Sequence, residues 1–248
     1  MAPARSTLLE IAANSLASAL AAQEGGADRI ELCSALELGG LTPTHAQISL
    51  ARERVRLPIH VLIRPRAGDF VYSDLEFETM QRDIETCVAL GCDGVVIGAL
   101  DAADDVDARC SALVGAAGKL DVTFHRAIDM SRDPRHALEA IVALRCRRVL
   151  TSGARASALE GVAMIRELIA QTNGRVAIMP GAGVDPTNIA AIRLSTGARE
   201  FHASAKRPLP SRSARTTGAA NGMAGGELRT DIEQVRALVA ALRAGFVD

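Results

Sequence analysis

Ionisable side chains stand inside or directly after apolar runs of the sequence, where folding buries them. Glu10 and Glu31 each lie between two aliphatic residues, and His125 follows Val122-Thr123-Phe124. Buried charges need a partner or a ligand, and carboxylates and imidazoles are the groups that move protons near neutral pH. We therefore predict a catalytic cluster in which Glu10 and Glu31 are acid and base and His125 is a proton shuttle. Its remaining members are the predicted anion clamps Arg64 and Arg126.

A structural interpretation of the same residues also stands. The two glutamates and the arginines neutralise one another inside the fold in that case, and no ligand is required. Several ionisable groups that converge in one cleft are nevertheless typical of a ligand site, and this favours the catalytic interpretation for the set as a whole.

A glycine turn gives a second candidate site. The run Met179–Val184 reads Met-Pro-Gly-Ala-Gly-Val, and Asp185 follows it at a predicted helix start. Glycines let backbone N–H groups approach an anion, and a helix N-terminus favours negative charge. The predicted binding residues for a phosphate or carboxylate are Arg66, Gly181, Gly183 and Ser204.

Cys33 is the one cysteine near the end of a predicted strand. A thiolate with histidine partners suits Cu(I), and His60, His125 and His202 are expected on neighbouring strands. Cys33 is therefore the candidate metal ligand, with Cu(I) as the candidate ion. The alternative is that Cys33 packs as a small buried hydrophobe, as free cysteines commonly do.

Composition excludes several classes of function. The chain has 28 basic and 29 acidic residues, a formal net charge of -1 and only 2% aromatic residues, so neither a broad basic surface nor base-stacking platforms are expected. It lacks an apolar run long enough to span a membrane and a secretory signal. Five scattered cysteines without a C-x-x-C pair indicate reduced thiols. We predict a cytoplasmic protein with a small-molecule or metal-ion ligand and without nucleic-acid or membrane partners.

The elements that position these residues alternate between short β-rich runs and longer helical stretches. Eight βα units in 248 residues predict a single (β/α)₈ TIM barrel over residues 1–248, with a doubly wound open sheet as the alternative. The predicted strands are Thr7–Ala12, Arg29–Cys33, Ile59–Ile63, Gly94–Gly98, Asp121–His125, Arg148–Thr151, Arg175–Met179 and Arg199–Ala203. Catalytic residues of such barrels lie at strand C-terminal ends and in the loops that follow.

Helix starts are predicted from capping signals. The sixth helix is expected to begin at Ser157, since Glu160 completes a capping box, and the seventh at Asp185. Residues 208–227 are rich in Gly, Pro, Ser and Thr and predict a flexible loop between strand eight and helix eight. This loop is expected to be either a mobile lid or disordered.

Ordered motifs across most of the chain resemble one family. Residues 21–33 (AAQEGGADRIELC) and 39–43 (GGLTP) are similar to segments of the CutC family, and so are 63–66 (IRPR) and 122–127 (VTFHRA). Further matches are 150–153 (LTSG), 158–161 (ALEG) and 179–184 (MPGAGV). The resemblance implies a (β/α)₈ barrel, a cytoplasmic homo-oligomer, often a dimer, and a role in copper homeostasis.

The chain departs from the family pattern at two places. Relatives often carry a cysteine where this chain has Ala12-Ala13, and another where it has Val71. Cys33 remains, within the Glu-Leu-Cys of the family. Three hypotheses follow: a copper-binding homeostasis protein, an enzyme of proton-transfer or lyase chemistry on a small anionic or polyhydroxylated substrate, and a barrel scaffold whose role lies in its oligomeric interface.

Overall fold

Eight parallel strands, each followed by a helix, form the protein. In the computed structural model, which describes residues 7–211 and 226–244, seven of these strands are four residues long. The strands are β1 Leu8–Ala13, β2 Arg29–Leu32, β3 Ile59–Leu62, β4 Gly94–Ile97, β5 Asp121–Phe124, β6 Arg148–Thr151, β7 Ala177–Pro180 and β8 Glu200–Ala203.

The helices lie outside this sheet and begin at local sequence signals. Ser15, Thr44 and Ser73 cap the first three, and the last two of these caps are full capping boxes. The helices are α1 Leu16–Gly25, α2 His45–Arg54, α3 Asp74–Ala89, α4 Cys110–Ala117, α5 Pro134–Ala143, α6 Val162–Thr172, α7 Ile189–Thr196 and α8 Ile232–Arg243.

The strand order confirms the predicted barrel and excludes the open sheet. The order is β7-β6-β5-β4-β3-β2-β1-β8, so the first and last βα strands are neighbours. In register, Glu10 of β1 lies opposite Arg29 of β2 and opposite His202 of β8. β7 and β8 pack side by side and bring the two ends of the sheet together. A doubly wound sheet leaves two free edges instead.

Two differently composed layers make up the interior. Between strands and helices lies an apolar core that includes Leu9, Ile30, Phe124 and Phe201, all fully buried. Successive side chains of a strand point to opposite faces, so the alternate residues point into the barrel. Glu10 and His60 are among them, and both are buried. Sequence periodicity therefore gives apolar residues outside the sheet and ionisable residues within it.

Two helices begin later than the sequence predicts. Ser157 and Glu160 do form their capping hydrogen bonds, but these close a turn, and α6 begins at Val162. The turn before α7 is built the same way, since Asp185 accepts from the Thr187 amide and the helix begins at Ile189. Cap-like hydrogen bonds also stabilise isolated turns, which is why the pattern misplaces both starts.

The segment predicted as a loop at 208–227 has structured ends. Residues Lys206–Leu209 form β9 and pair antiparallel with β10, Glu227–Thr230. The final helix begins at Ile232, with Asp231 as its cap. The prediction of a loop from 208 to 227 is therefore wrong at both ends, and residues 212–225 lie outside the described part of the chain.

None of the helices in the described ranges combines the length and apolar character that crossing a bilayer requires. The five cysteines are free and buried.

Two glycine substitutions test the packing. A Cβ at Gly161 would lie 1.8 Å from the carbonyl oxygen of Ser152, whereas a Cβ at Gly115, inside α4, would meet nothing within 4 Å. We expect Gly161→Ala to lower the free energy of unfolding by about 1–3 kcal/mol, and Gly115→Ala to raise it by about 0.5–1 kcal/mol. Urea denaturation of both variants measures this, and equal effects would contradict the packing described.

Candidate active site

A cavity of about 640 Å³ opens at the C-terminal ends of the strands. This is the end of a (β/α)₈ barrel where catalytic groups are found. The sequence-predicted residues that line it are Glu31, Cys33, Arg64, His125, Arg126, Gly183 and Ser204. The barrel thus brings together seven of the ten predicted site residues, from five different strands or the loops that follow them.

Glu10 lies beneath this cavity and is fully buried. Its carboxylate is bound by the Arg29 guanidinium on one side, and its other oxygen lies 2.9 Å from Nδ1 of His202. Burial alone would raise the pKa of Glu10, but the charge of Arg29 and the hydrogen bond with His202 lower it well below its ordinary value. Glu10 is therefore a permanent anion that neutralises its two neighbours.

Below Glu10, a second set of charges fills the base of the barrel. Arg29 and Arg148 share the carboxylate of Glu200, at 2.8 and 3.0 Å, and Arg148 also binds Asp121 at 3.0 Å. Burial lowers the pKa of the nearby His60 to about 4, so this imidazole is neutral. These groups hold one another and are structural.

Glu31 is the carboxylate placed for proton transfer. It lines the cavity, and its Oε2 lies 3.5 Å from Nε2 of His202. Burial raises the pKa of Glu31 to about 7, against the lowering effect of His202 and with the help of the negative Glu10. The same two carboxylates raise the pKa of His202, although burial alone would lower it. A general acid–base group works best with a pKa near the working pH, and Glu31 meets that condition.

His125 is held as a neutral hydrogen-bond donor. Its Nδ1 accepts from the Ala127 amide at 3.1 Å, so the proton of the neutral ring is on Nε2. Burial and the nearby Arg64 charge lower the pKa of His125 to about 3. Its Nε2 is buried without a hydrogen-bond partner among the described residues. This geometry favours donation to a substrate oxygen over the proton-shuttle role that the sequence suggests.

Arg64 brings a buried positive charge to the cavity wall. Its guanidinium donates to the carbonyl oxygens of Leu38, Gly40 and Gly68, each at 2.9 Å. Within the described chain no carboxylate pairs with it, and it lies over the ring of Phe70, 5.2 Å from the centroid. Arg64 therefore shapes the loops around the mouth and also leaves a net positive charge there.

Arg126 is oriented by Asp129, which the sequence analysis did not single out. Asp129 accepts from Nε of Arg126 at 2.8 Å and from the amides of Ser152 and Ala154 at 3.0 and 3.1 Å. Thr151 and the Ser152 hydroxyl also donate to it. This carboxylate fixes the loop after β6 against the short 3₁₀ turn after β5.

Three predicted site residues lie outside the cavity lining: Glu10, Arg66 and Gly181. Arg66 is bound by Glu76 at 2.6 Å and Asp69 at 2.9 Å. The Gly181 amide donates to Thr151, and a Cβ at Gly181 would lie 2.4 Å from Leu150. Close packing at the end of β7 explains this glycine. Gly183 and Ser204 line the cavity as predicted.

The donor atoms around the cavity do not form a Cu(I) cage. Cys33 packs with Leu62 and Val96, and burial, with the charge of Glu31, raises the pKa of its thiol. No second cysteine of the described chain lines the cavity. The donor set that the described residues do bring together is Glu10, Glu31 and His202. These are oxygen and nitrogen ligands, whereas Cu(I) prefers soft sulfur.

The residues that sequence reasoning missed are Arg29, Asp129, Arg148 and Glu200. A signal was present for three of them. Arg29 is two residues before Glu31, Glu200 is two residues before His202, and Arg148 opens an apolar strand, so each shares an inward face with other polar residues. Asp129 gave no such signal, because it lies in a loop whose path depends on the rest of the barrel.

Comparison with known proteins identifies relatives along most of the chain. The model of the CutC family matches residues 7–207. Proteins named family protein CutC from Xanthomonas campestris pv. campestris (strain B100) and Xylella fastidiosa (strain Temecula1) are each 55% identical to this chain. The alignments cover 95% and 96% of this chain, and 98% and 89% of the two relatives.

Solved structures show the same fold. A candidate copper homeostasis protein CutC from Streptococcus agalactiae is 32% identical, with a TM-score of 0.76 over 79% of this chain and 97% of its own. A phosphoribosylanthranilate isomerase from Thermotoga maritima has a TM-score of 0.58 at 10% identity and covers 96% of this chain and 99% of its own. The second likeness shows the fold alone.

Stability should depend on pH through Glu31. Its folded pKa of about 7 lies above the ordinary 4.5, so the protonated form is favoured by folding. This contribution is complete below pH 4.5 and is lost as pH rises through about 7, a change of about 3 kcal/mol. The variant Glu31→Gln cannot ionise at this position, so its folding stability does not fall in this way as the pH rises. The stability of Glu31→Gln relative to the native protein should therefore rise between pH 5 and pH 8 in urea denaturation.

The matched control is Glu37→Gln, because Glu37 is exposed and stands in the chain between Leu36 and Leu38, which line the same cavity. It should keep the pH dependence of the native protein. A Glu31→Gln variant with the same pH dependence as this control would show that Glu31 ionises as an ordinary carboxylate.

Proposed function

This chain belongs to the CutC family, and we propose that it is an enzyme that transfers protons on a small anionic substrate in the cavity at the barrel mouth. The observation that carries this proposal is the Glu31 carboxylate, which lines the cavity with a pKa of about 7. At that value the same group both accepts and donates a proton near neutral pH.

Burial raises the pKa of Glu31, and two residues behind it modify that effect, since His202 lowers this pKa and Glu10 raises it. His202 lies between Glu31 and Glu10, with its ring nitrogens 3.5 and 2.9 Å from their carboxylate oxygens. Because Glu10 is also bound by Arg29, it stays ionised and holds the imidazole in place. In this arrangement Glu31 is the catalytic residue, and Glu10 and His202 are positioning residues.

Charge on the cavity wall supports an anionic substrate. Arg64, Arg126 and Lys206 line the cavity, against the carboxylates Glu31 and Asp129. Asp129 is already saturated by donors of its own loops, and Glu31 is half protonated near pH 7. The wall is therefore net positive, and a carboxylate or phosphate group is attracted to it.

His125 indicates the class of the proposed reaction. A neutral imidazole in the cavity lining whose Nε2–H has no acceptor among the described residues is suited to stabilise negative charge that develops on a substrate oxygen. Proton removal from a carbon next to a carbonyl produces such charge, with Glu31 as base. The reaction class is therefore enolisation, as in an isomerase, or the carbon–carbon or carbon–oxygen cleavage that an enolate permits, as in a lyase.

Hydrogen exchange tests this proposal without knowledge of the final product. The protein is incubated in D₂O with 2-oxo acids and phosphorylated ketoses, and NMR follows deuterium entering beside the carbonyl. We expect catalysed exchange with at least one compound and a loss of about 10²–10⁴-fold in Glu31→Gln. Glu37→Gln should retain full exchange. The proposal would be contradicted if none of the compounds gave either catalysed exchange or ligand-induced thermal stabilisation.

A role in copper handling is the second candidate. The Streptococcus agalactiae relative is named for copper homeostasis, and Cys33 lines the same cavity as His125 and His202. The resident donors fit Cu(I) poorly, because the single thiol packs against aliphatic side chains. Cu(I) binding at Cys33 would therefore require the mouth to rearrange.

An anaerobic Cu(I) titration distinguishes the two candidates. Copper handling through Cys33 predicts one tightly bound equivalent that is lost in Cys33→Ser and kept in the matched variant Cys110→Ser, a buried cysteine of α4. The enzyme proposal predicts equal and weak binding by all three proteins. Retention of tight binding by Cys33→Ser would remove Cys33 from any copper site.

We also infer a cytoplasmic location and a homo-oligomer, with a dimer favoured. The five free cysteines support a reducing compartment, and the oligomer rests on the resemblance to the family.

A further inference from the structure

A second cavity lies at the opposite end of the barrel. Its volume is about 610 Å³, and it is lined by the loops that precede β6, β7 and β8 together with the first residues of β1, β7 and β8. This is the N-terminal face, about one barrel length from the candidate active site. The proposed acid–base reaction makes no use of it.

Arginines form the rim of this cavity. Arg145 and Arg147 precede β6, Arg175 precedes β7, and Arg199 precedes β8. Arg175 is bound by Glu139. The side chains of the other three form no ion pair or hydrogen bond with any residue of 7–211 or 226–244, and all three are exposed.

The one carboxylate in the lining does not neutralise this rim. Glu200 lies at the bottom of the cavity, and its Oε2 is shared by the buried Arg29 and Arg148 at 2.8 and 3.0 Å. The whole chain carries a formal net charge of -1. The groove therefore carries a local positive charge from three arginines that have no partner in the described chain. The nearly neutral composition of the chain does not predict this charge.

Apolar side chains form the wall below the rim. Leu8, Val142 and Ile169 are half-buried there, and Val176 and Ile178 complete the surface. Guanidinium groups bind phosphate oxygens through paired N–H donors, while an apolar concave wall accepts a planar or aliphatic group. The combination matches a molecule with a polyphosphate at one end and an apolar ring at the other.

We propose that this groove is a second binding site, for a small organic polyphosphate of the nucleoside diphosphate class. The phosphates lie against Arg145, Arg147 and Arg199, and the ring lies against the apolar wall. Because catalytic groups of a (β/α)₈ barrel lie at the other end, a ligand here acts by binding, without chemistry.

Calorimetric titration of the full-length protein with ADP and with inorganic pyrophosphate tests the site. We expect both to bind, with ADP tighter because only ADP reaches the apolar wall. The variant Arg147→Ala/Arg199→Ala should weaken the binding of both ligands by about tenfold or more, since it removes charge-assisted hydrogen bonds to the phosphates. Neither side chain holds another residue of the described chain, so the fold is retained, which circular dichroism checks.

The matched control is Arg54→Ala/Arg56→Ala. These two exposed arginines end α2 and begin the next loop, on the same face of the barrel but outside the groove. The control should bind both ligands as the native protein does. If both double variants bound the ligands equally weakly, the loss of overall positive charge would explain the result, and the proposal would be overturned. Absence of ADP binding would also overturn it, as would tight binding of a single-stranded oligonucleotide together with weak binding of ADP.

Discussion

The ion pair between Glu10 and Arg29 is the interaction on which the rest of the barrel interior depends. Both side chains are almost completely buried, and an unpaired buried charge costs several kcal/mol. Arg29 keeps Glu10 ionised. The Glu10 carboxylate orients the imidazole of His202, and the other ring nitrogen of His202 lies next to the Glu31 carboxylate at the cavity. Burial gives Glu31 its raised pKa, and this chain of contacts adds the influence of Glu10 and Arg29, which lie outside the cavity lining.

The same chain of charges explains how a polar interior is compatible with a stable barrel. Arg29, Arg148 and Glu200 bind one another at the base, and Arg148 also contacts His60 and Asp121. Each buried group is thereby partnered, as buried polar groups must be. The apolar core is displaced to the layer between strands and helices, where Phe124 and Phe201 are fully buried. The outer layer is thus apolar, whereas the inner layer holds paired structural charges at the base and the candidate catalytic groups at the mouth.

The two ends of the barrel differ in what they leave unsatisfied. At the mouth, Nε2 of the cavity-lining His125 has no hydrogen-bond partner among the described residues, and Arg64 pairs with none of their carboxylates. At the base, Arg29, Arg148 and Glu200 are paired with one another, and the exposed arginines of the rim have no side-chain partner within residues 7–211 and 226–244. Buried unsatisfied groups are typical of sites that act on a ligand, whereas a cluster of exposed cations attracts anions through its charge.

The sequence by itself determined the (β/α)₈ class, all eight strands to within two residues at each end, and most of the residues at the mouth. It could do so because strand position follows from local apolar runs, and side-chain alternation then assigns a face to each residue. Cap-like patterns at Ser157 and Asp185 misplaced two helix starts, because the same local hydrogen bonds also close isolated turns.

Only the tertiary structure decided the state of each site residue. Whether Glu31 titrates near 7 or near its ordinary value depends on burial and on His202. These two residues are 171 positions apart in the sequence. Whether His125 donates or shuttles depends on the Ala127 amide and on Arg64. The residue types of the site can therefore be read from the sequence. Their protonation states depend on burial and on charges that come together only when the barrel closes.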